Sequence, residues 1–216
     1  LYIVATPIGN LADMSHRAID MLRAADLIAV EDSRVTGKLL HHLGLKKRMR
    51  PYHDHSSEAD RDALLAVARD GVVVLVSDAG TPLISDPGYK LVRAAREAGI
   101  AVSTAPGASA VIAALSISGL PTDRFLFAGF LPSKAKARSD AITEIGNVKS
   151  TLVFYESGQR LGATLAALAE QLGGREAVVA RELTKKFEEV VSGTLPELAE
   201  RYAEAEPKGE IVLIVG

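Results

Sequence analysis

There is no cysteine among the 216 residues. That removes disulfides, thiolate nucleophiles and Cys-type zinc sites, and it fits a reducing cytosol. No run approaches the ~18 consecutive apolar residues of a membrane span. The chain opens on Leu1-Tyr2-Ile3-Val4-Ala5, without the basic stretch of a signal peptide. Neither charge dominates: 25 Lys and Arg stand against 27 Asp and Glu, a formal net charge of −2. No global basic field therefore draws the protein to nucleic acid, and any such binding must rest on local patches. Gly-x-Gly-x-x-Gly and Gly-x-x-x-x-Gly-Lys are both missing, so neither a dinucleotide fingerprint nor a phosphate-cradling loop is supported. An initiator methionine is missing too, and with the end on Val215-Gly216 this reads as a trimmed chain.

What is present is a 48% apolar composition, enough for a sizeable core in one large domain or two of about 100 residues. Strand-length apolar runs at Tyr2 to Ala5, Leu27 to Val30, Val72 to Val76 and Ala101 to Ser103 alternate with segments of helical period. This βα order predicts a mostly parallel sheet covered on both faces. A small-residue helix follows from Ala108 to Ser118. The polar, Gly- and Pro-containing segment from Ser118 to Asp123 then breaks the pattern and marks a boundary, with lobes at 1–118 and 122–216. In the second lobe, strands at Phe125 to Phe130, Thr151 to Tyr155, Ala177 to Ala180, Glu189 to Ser192 and Glu210 to Val215 predict a mixed sheet. Helices are expected at Ala135 to Ile145, Gln159 to Gln171 and Pro196 to Tyr202.

The loops after the strands hold the polar residues. Ser77 to Gly88 carries two carboxylates, several hydroxyls, glycine and proline where open α/β sheets bind ligands, beyond the carboxyl ends of strands. Ala5-Thr6-Pro7-Ile8-Gly9-Asn10 turns sharply. Glu31-Asp32-Ser33-Arg34 gathers the acids and base that proton transfer and ribose or phosphate recognition require, although Asp32 or Ser33 as a helix N-cap explains the same residues. Pro106-Gly107-Ala108-Ser109-Ala110 leads into a helix N-terminus that suits a carboxylate or ribose oxygen, and close helix-to-sheet packing explains it equally. Glu156 and Arg181-Glu182-Leu183-Thr184-Lys185 stand at strand ends of the second lobe, where Glu182 and Lys185 also read as a surface pair. No third ligand accompanies His41 and His42 or His53 and His55, so no metal site is expected. The basic run Lys46 to Arg50 reads as a solvated face. With His53, His55, Lys134, Lys136 and Arg138 it also offers a local phosphate-binding rim, and Tyr52 a single stacking ring.

Taken in order, the loops Ala5 to Asn10, Val30 to Arg34, Ser77 to Gly88, Pro106 to Ala110, Gly129-Phe130-Leu131-Pro132 and Arg181 to Lys185 resemble the tetrapyrrole methylase superfamily over essentially the whole chain. Within it they resemble the branch that acts on ribosomal RNA. The resemblance implies a bilobal α/β, class III methyltransferase with a cofactor cleft between two α/β lobes. It implies a cytoplasmic homodimer that uses S-adenosylmethionine to methylate the ribose 2′-oxygen of a decoding-centre cytidine in 16S rRNA of the small ribosomal subunit. By position it makes Pro7, Asp78, Ala79, Gly80, Leu83, Ser109, Ala110, Glu156 and Thr184 cofactor contacts, Glu156 standing where porphyrin-type relatives have an apolar residue. It also implies that full-length members continue past this C-terminus into a small helical region that helps grip RNA.

A ribose hydroxyl is a poor nucleophile near neutral pH, so a group must accept its proton as the methyl is transferred. Glu31, Asp32 and Glu182 are the candidate bases, with Arg34 and Lys185 as candidate phosphate or hydroxyl contacts. A tetrapyrrole C-methyltransferase would share fold and cofactor, but a macrocycle bearing many carboxylates calls for a denser arginine lining. A non-catalytic RNA-binding module would leave the polar loops without a purpose.

Overall fold

The alternation of short apolar runs with amphipathic helices is realised twice. The computed structural model describes residues 1–216 and divides them into two compact units, Leu1–Ser109 and Ala110–Gly216. The first unit contains β1 (Tyr2–Val4), α1 (His16–Ala24), β2 (Leu27–Val30), α2 (Ser33–His42), β3 (Met49–Pro51), α3 (Glu58–Asp70), β4 (Val73–Leu75), α4 (Tyr89–Glu97) and β5 (Ser103–Ala105). Its strands form one parallel sheet in the order β3-β2-β4-β1-β5.

Period-two alternation puts the sheet's apolar side chains on both faces. Leu27, Ala29, Val73 and Leu75 join Leu64, Leu65 and Leu91 in one core, while Ile28, Val30, Val74 and Val76 join Leu22 and Leu40 in another. The helices start where side-chain caps satisfy their first N–H groups: Ser15 for α1, Asp32 for α2, and Ser57 with Asp60 as a capping box for α3. Two local expectations shift. The strand expected at Ala101 to Ser103 is Ser103–Ala105, the residues in register with Tyr2–Val4 of β1; ahead of that register the Leu1 amino group donates to Ala101 O and its carbonyl accepts from Ser103 N–H. The basic run expected to be a solvated face ends in β3, a half-exposed edge strand paired only with β2.

The second unit contains α5 (Ala110–Ser118), β6 (Phe125–Phe130), α6 (Ala135–Gly146), β7 (Thr151–Ser157), α7 (Gly158–Leu172), β8 (Glu176–Arg181), β9 (Glu189–Thr194), α8 (Leu195–Arg201) and β10 (Glu210–Val215). The sheet runs β6-β7-β10-β8-β9, with β6 and β7 parallel and the remaining pairs antiparallel. Leu152, Phe154, Ala177, Val179, Leu213 and Val215 face the core built with α6, α7 and α8. Against the expected boundary at Ser118 to Thr122, α5 groups with this second unit: it packs on β8 and β10 and buries Val111, Ala114 and Leu115. Helix α7 lies close to the segment before β10. A Cβ on Gly158 would fall 1.6 Å from the Pro207 carbonyl oxygen, and one on Gly162 would fall 2.4 Å from that of Tyr202.

Candidate active site

Because every strand of the first sheet is parallel, the loops after β1, β2, β4 and β5 emerge along one edge. Backbone bonds join two of them: Thr6 N–H donates to Gly80 O at 2.9 Å and Gly80 N–H to Thr6 O at 3.0 Å. The Thr6 hydroxyl donates to Ser77 O at 3.3 Å, and the Thr81 hydroxyl ties in the loop after β5 by donating to Ala108 O at 2.9 Å. The Ser77 to Gly88 loop holds unusual backbone. Leu83 and Ser85 have φ of 73° and 60°, Gly80 has 81° and Gly88 has 138°. At Gly88 a Cβ would also lie 2.7 Å from Leu75 Cδ2. Non-glycine residues held in the left-handed region cost energy that the rest of the structure must offset, and such residues cluster at ligand sites.

The acids of this edge are not equivalent. Asp32 caps α2 by accepting from Arg34 N–H at 2.8 Å, and the Arg34 guanidinium pairs with it at 2.6 Å. That contact holds the Asp32 carboxyl well below the usual range, at about 2. Arg34 is itself largely exposed. Glu31 has no cation partner and approaches Asp78, whose N–H donates to Glu31 Oε2 at 3.5 Å. Burial raises the Glu31 pKa; the Asp78 N–H opposes this, and the charges of Asp78, Asp54 and Asp32 add to the rise. Burial likewise pushes Asp86 up to about 6, against a hydrogen bond from Ser77 and with the charges of Glu31 and Asp78 adding to it.

In the second unit the β-sheet again ends in polar loops. Glu156 is buried, 3% exposed. Its carboxylate accepts from the Thr164 hydroxyl at 2.5 Å and from Ser157 N–H at 2.8 Å, and it lies 3.4 Å from the Arg160 guanidinium. Those oxygens are engaged within the unit. Lys185 bridges Glu182 at 2.8 Å and Glu210 at 2.6 Å, and Glu182 also accepts from Glu210 N–H at 3.0 Å. The Lys185 bond, with that N–H second, lowers the Glu182 pKa. Burial acts to lower the Lys185 pKa, but its bonds to Glu182 and Glu210 outweigh it and leave it raised. Glu182 and Thr184 adopt positive φ of 50° and 66°. The Thr184 hydroxyl oxygen is buried without a hydrogen-bond partner, a polar atom suited to a ligand.

The structure thus brings Pro7, Glu31, Asp32, Asp78, Ala79, Gly80, Leu83 and Ser109 to loops at one edge of the first sheet. Ala110 opens α5 of the second unit, and Glu156, Glu182, Thr184 and Lys185 sit at one end of the second sheet. Tyr52 is corrected: at 3% exposure it belongs to the core and offers no stacking face, because the chain turns inward after edge strand β3. Asp86 belongs to the same edge, and the signal for it in the sequence is an acid set between the turn formers Ser85 and Pro87. No group of three or more His, Asp or Glu side chains is placed to hold a metal ion. No helix is long and apolar enough to cross a membrane.

Residues 1–199 match the family model described as Tetrapyrrole (Corrin/Porphyrin) Methylases. The chain belongs to the tetrapyrrole methylase family. Among curated tetrapyrrole methylase relatives, the Ribosomal RNA small subunit methyltransferase I of Erythrobacter litoralis (strain HTCC2594) is 57% identical over all of this chain and 77% of its own length. That of Escherichia coli O157:H7 is 52% identical, again over all of this chain and 77% of its own. Solved tetrapyrrole methylase folds superpose at lower identity. Diphthine synthase does so with a TM-score of 0.75 at 16% identity, over all of this chain and 88% of its own. The uroporphyrin-III-C-methyltransferase of Thermus thermophilus gives 0.66 at 24%, over all of this chain and 93% of its own.

Proposed function

We propose that this tetrapyrrole methylase uses S-adenosylmethionine to methylate the ribose 2′-oxygen of a decoding-centre cytidine in 16S rRNA, as a cytoplasmic homodimer. The observation that carries the reading is the full-chain identity of 52–57% to relatives named Ribosomal RNA small subunit methyltransferase I. The residues fit the cofactor: Gly80 and Leu83 hold a tightly turned loop at positive φ, and the Thr184 hydroxyl oxygen is buried and unpartnered. Pro7, Asp78, Ala79 and Ser109 contribute loop backbone to its binding, and Ala110 the first turn of α5. Glu156, whose carboxylate is engaged by Thr164 and Arg160, contributes through its main chain.

When bound, S-adenosylmethionine supplies a methyl group already activated by its sulfonium. The protein's own task is to align the 2′-oxygen, exclude water and take up the hydroxyl proton. Of the three candidate bases, Asp32 is held by Arg34 and Glu182 by Lys185, which makes both weak proton acceptors. Glu31 has no cation partner and a raised pKa, so it is the base, accepting the proton on its carboxylate. Arg34, largely exposed, reaches for a phosphate of the substrate. Lys185 holds the Glu182 loop in place.

The test is incubation with S-adenosylmethionine and unmodified 30S subunits, followed by rRNA digestion and mass spectrometry for 2′-O-methylcytidine. Its appearance supports the reading. Cofactor binding without that product, together with methyl transfer to a uroporphyrinogen-like substrate, would replace it.

A further inference from the structure

At one end of the second sheet, β6 and β7 finish, β10 begins, β8 finishes and β9 begins, as the pairings Phe130 with Tyr155, Glu210 with Ser157, Ile211 with Arg181, and Arg181 with Glu189 require. Two aromatic rings stand exposed at that end, one near each side of the sheet. Phe130 is 55% exposed at the end of β6, and Phe187 is 66% exposed in the β8–β9 loop. Large rings left in water at the end of a sheet contribute nothing to its core.

Both are held in place. A register shift between Phe127 and Phe130, with Gly129 at φ 64°, inserts one residue into β6. It turns Phe130 toward the side carrying Phe127 and Tyr155: the Tyr155 ring lies 5.6 Å from Phe130 and 4.8 Å from Phe127. The loop of Phe187 is fixed by positive φ at Glu182 and Thr184, by the Lys185 bridge to Glu182 and Glu210, and by Thr184 N–H donating to Glu188 at 2.6 Å. The Lys186 ammonium lies 5.5 Å from the Phe187 ring centroid.

Cations accompany both rings. Lys134 and Lys136 follow Phe130 at the start of α6, a helix with no acid in its first turn and no side-chain cap. Cations there oppose the helix dipole, so local helix stability does not explain them. Lys136 makes only an exposed pair with Asp140 at 3.3 Å, and Lys134 and Lys186 enter no ion pair. The acids of this end are engaged instead: Glu182 and Glu210 by Lys185, Glu189 by Arg181, and Glu188 by the Thr184 N–H.

We propose that this strand-end rim is a track for single-stranded RNA, with Phe130 and Phe187 each stacking one base and Lys134, Lys136 and Lys186 contacting its phosphates. The strand ends from which the two rings project lie three to four strand spacings apart, about 14 to 19 Å. That is room for about five nucleotides at the stacked rise of ~3.4 Å. Exposed aromatics interleaved with lysines give sequence-tolerant stacking plus counterion release, which suits a chain whose net charge is −2 and whose grip on RNA must be local. The track rests on the proposed rRNA substrate and adds to it the surface that holds the flanking strand.

The test measures 30S affinity by filter binding, KM and kcat for 30S methylation, and cofactor affinity by calorimetry, for wild type, Phe130→Ala, Phe187→Ala and the conservative Phe187→Trp. Each alanine variant is expected to weaken 30S binding about 5- to 150-fold, the range for one lost base stack, with cofactor affinity unchanged and Phe187→Trp near wild type. Lys134→Ala and Lys186→Ala should each reduce the slope of log affinity against log salt by roughly 0.7. Wild-type 30S affinity in both alanine variants overturns the track, as does weaker binding to 30S with unchanged binding to protein-free rRNA, which would make a ribosomal protein the occupant. If wild type forms no 2′-O-methylcytidine yet loses RNA affinity on Phe187→Ala, the substrate assignment fails and the track stands. If wild type methylates and the variants match it, the reverse holds.

Discussion

The Asp78 carboxylate accepts a hydrogen bond from the Asp32 backbone N–H at 3.1 Å, so the loop after β4 and the start of α2, 46 residues apart, are tied together. The Asp78 N–H returns toward Glu31 at 3.5 Å. Asp78 therefore orients the proposed base as well as the loop. Asp78→Ala is expected to lower single-turnover methyl transfer to 30S by about 10- to 100-fold, the scale of a misplacement near 1 Å. Rescue by Asp78→Asn, which keeps the acceptor, separates orientation from charge.

Glu31→Gln removes the proton acceptor and leaves the cofactor loops intact. Its expected effect is a loss of about 10²- to 10⁴-fold in kcat, the usual contribution of general base catalysis, with unchanged cofactor affinity by calorimetry. In wild type the rate should fall as pH drops through the raised pKa of Glu31, because the carboxylate must be ionised to accept a proton. Unaltered turnover in Glu31→Gln would dispose of this assignment.

Asp86 gives a pH signature of stability. Its pKa in the folded protein, about 6, exceeds the ordinary 3.8, so between those values the folded state holds a proton that the unfolded chain has released. Its contribution therefore favours folding below pH 4 and is lost as pH rises through about 6. Asp32 and Asp60, held at about 2, act in the opposite sense at lower pH, losing their contribution as pH falls from 4 toward 2. Denaturant melts of wild type and Asp86→Asn from pH 4 to 7 should diverge with rising pH, the variant becoming relatively more stable. Parallel curves would contradict the assignment.

Thr164→Val deletes the hydroxyl that donates to buried Glu156 while keeping the side chain's shape. An under-satisfied buried carboxylate costs about 1 to 3 kcal/mol. A calorimetric Tm lower by roughly 2 to 12 °C is expected at this chain length, with 30S KM unchanged.

Gly158→Ala is expected to be more damaging. Its methyl would fall 1.6 Å from the Pro207 carbonyl, which is backbone and has no rotamer through which to yield. A loss of at least about 3 kcal/mol follows from forcing α7 away from that segment. Gly174→Ala, where a Cβ meets nothing within 4 Å, is the matched control and should melt within about 2 °C of wild type.

Much of the fold was legible because apolar runs of strand length act locally: Leu27–Val30 and Thr151–Ser157 need no distant partner to be read. Edge strand β3 was not legible. Met-Arg-Pro at 49–51 has little strand propensity, and its pairing comes from lying beside β2. Helix α5 could be read as a helix but not allotted to a unit, since that depends on β8 and β10, which come much later in the chain.

The same division runs through the site. Residue types and their places at strand ends already marked the loops from which the proposed site is built, because turn formers and polar side chains collect where strands leave the core. Which acid is paired with a cation and which is left without one was decided only in three dimensions. Asp32 meets Arg34 two residues away, Glu31 is set against Asp78 from another loop, and Glu182 meets Lys185 and the N–H of Glu210. A carboxyl's proton affinity depends on burial and on neighbours a few ångströms distant, and those neighbours are brought together by the tertiary fold.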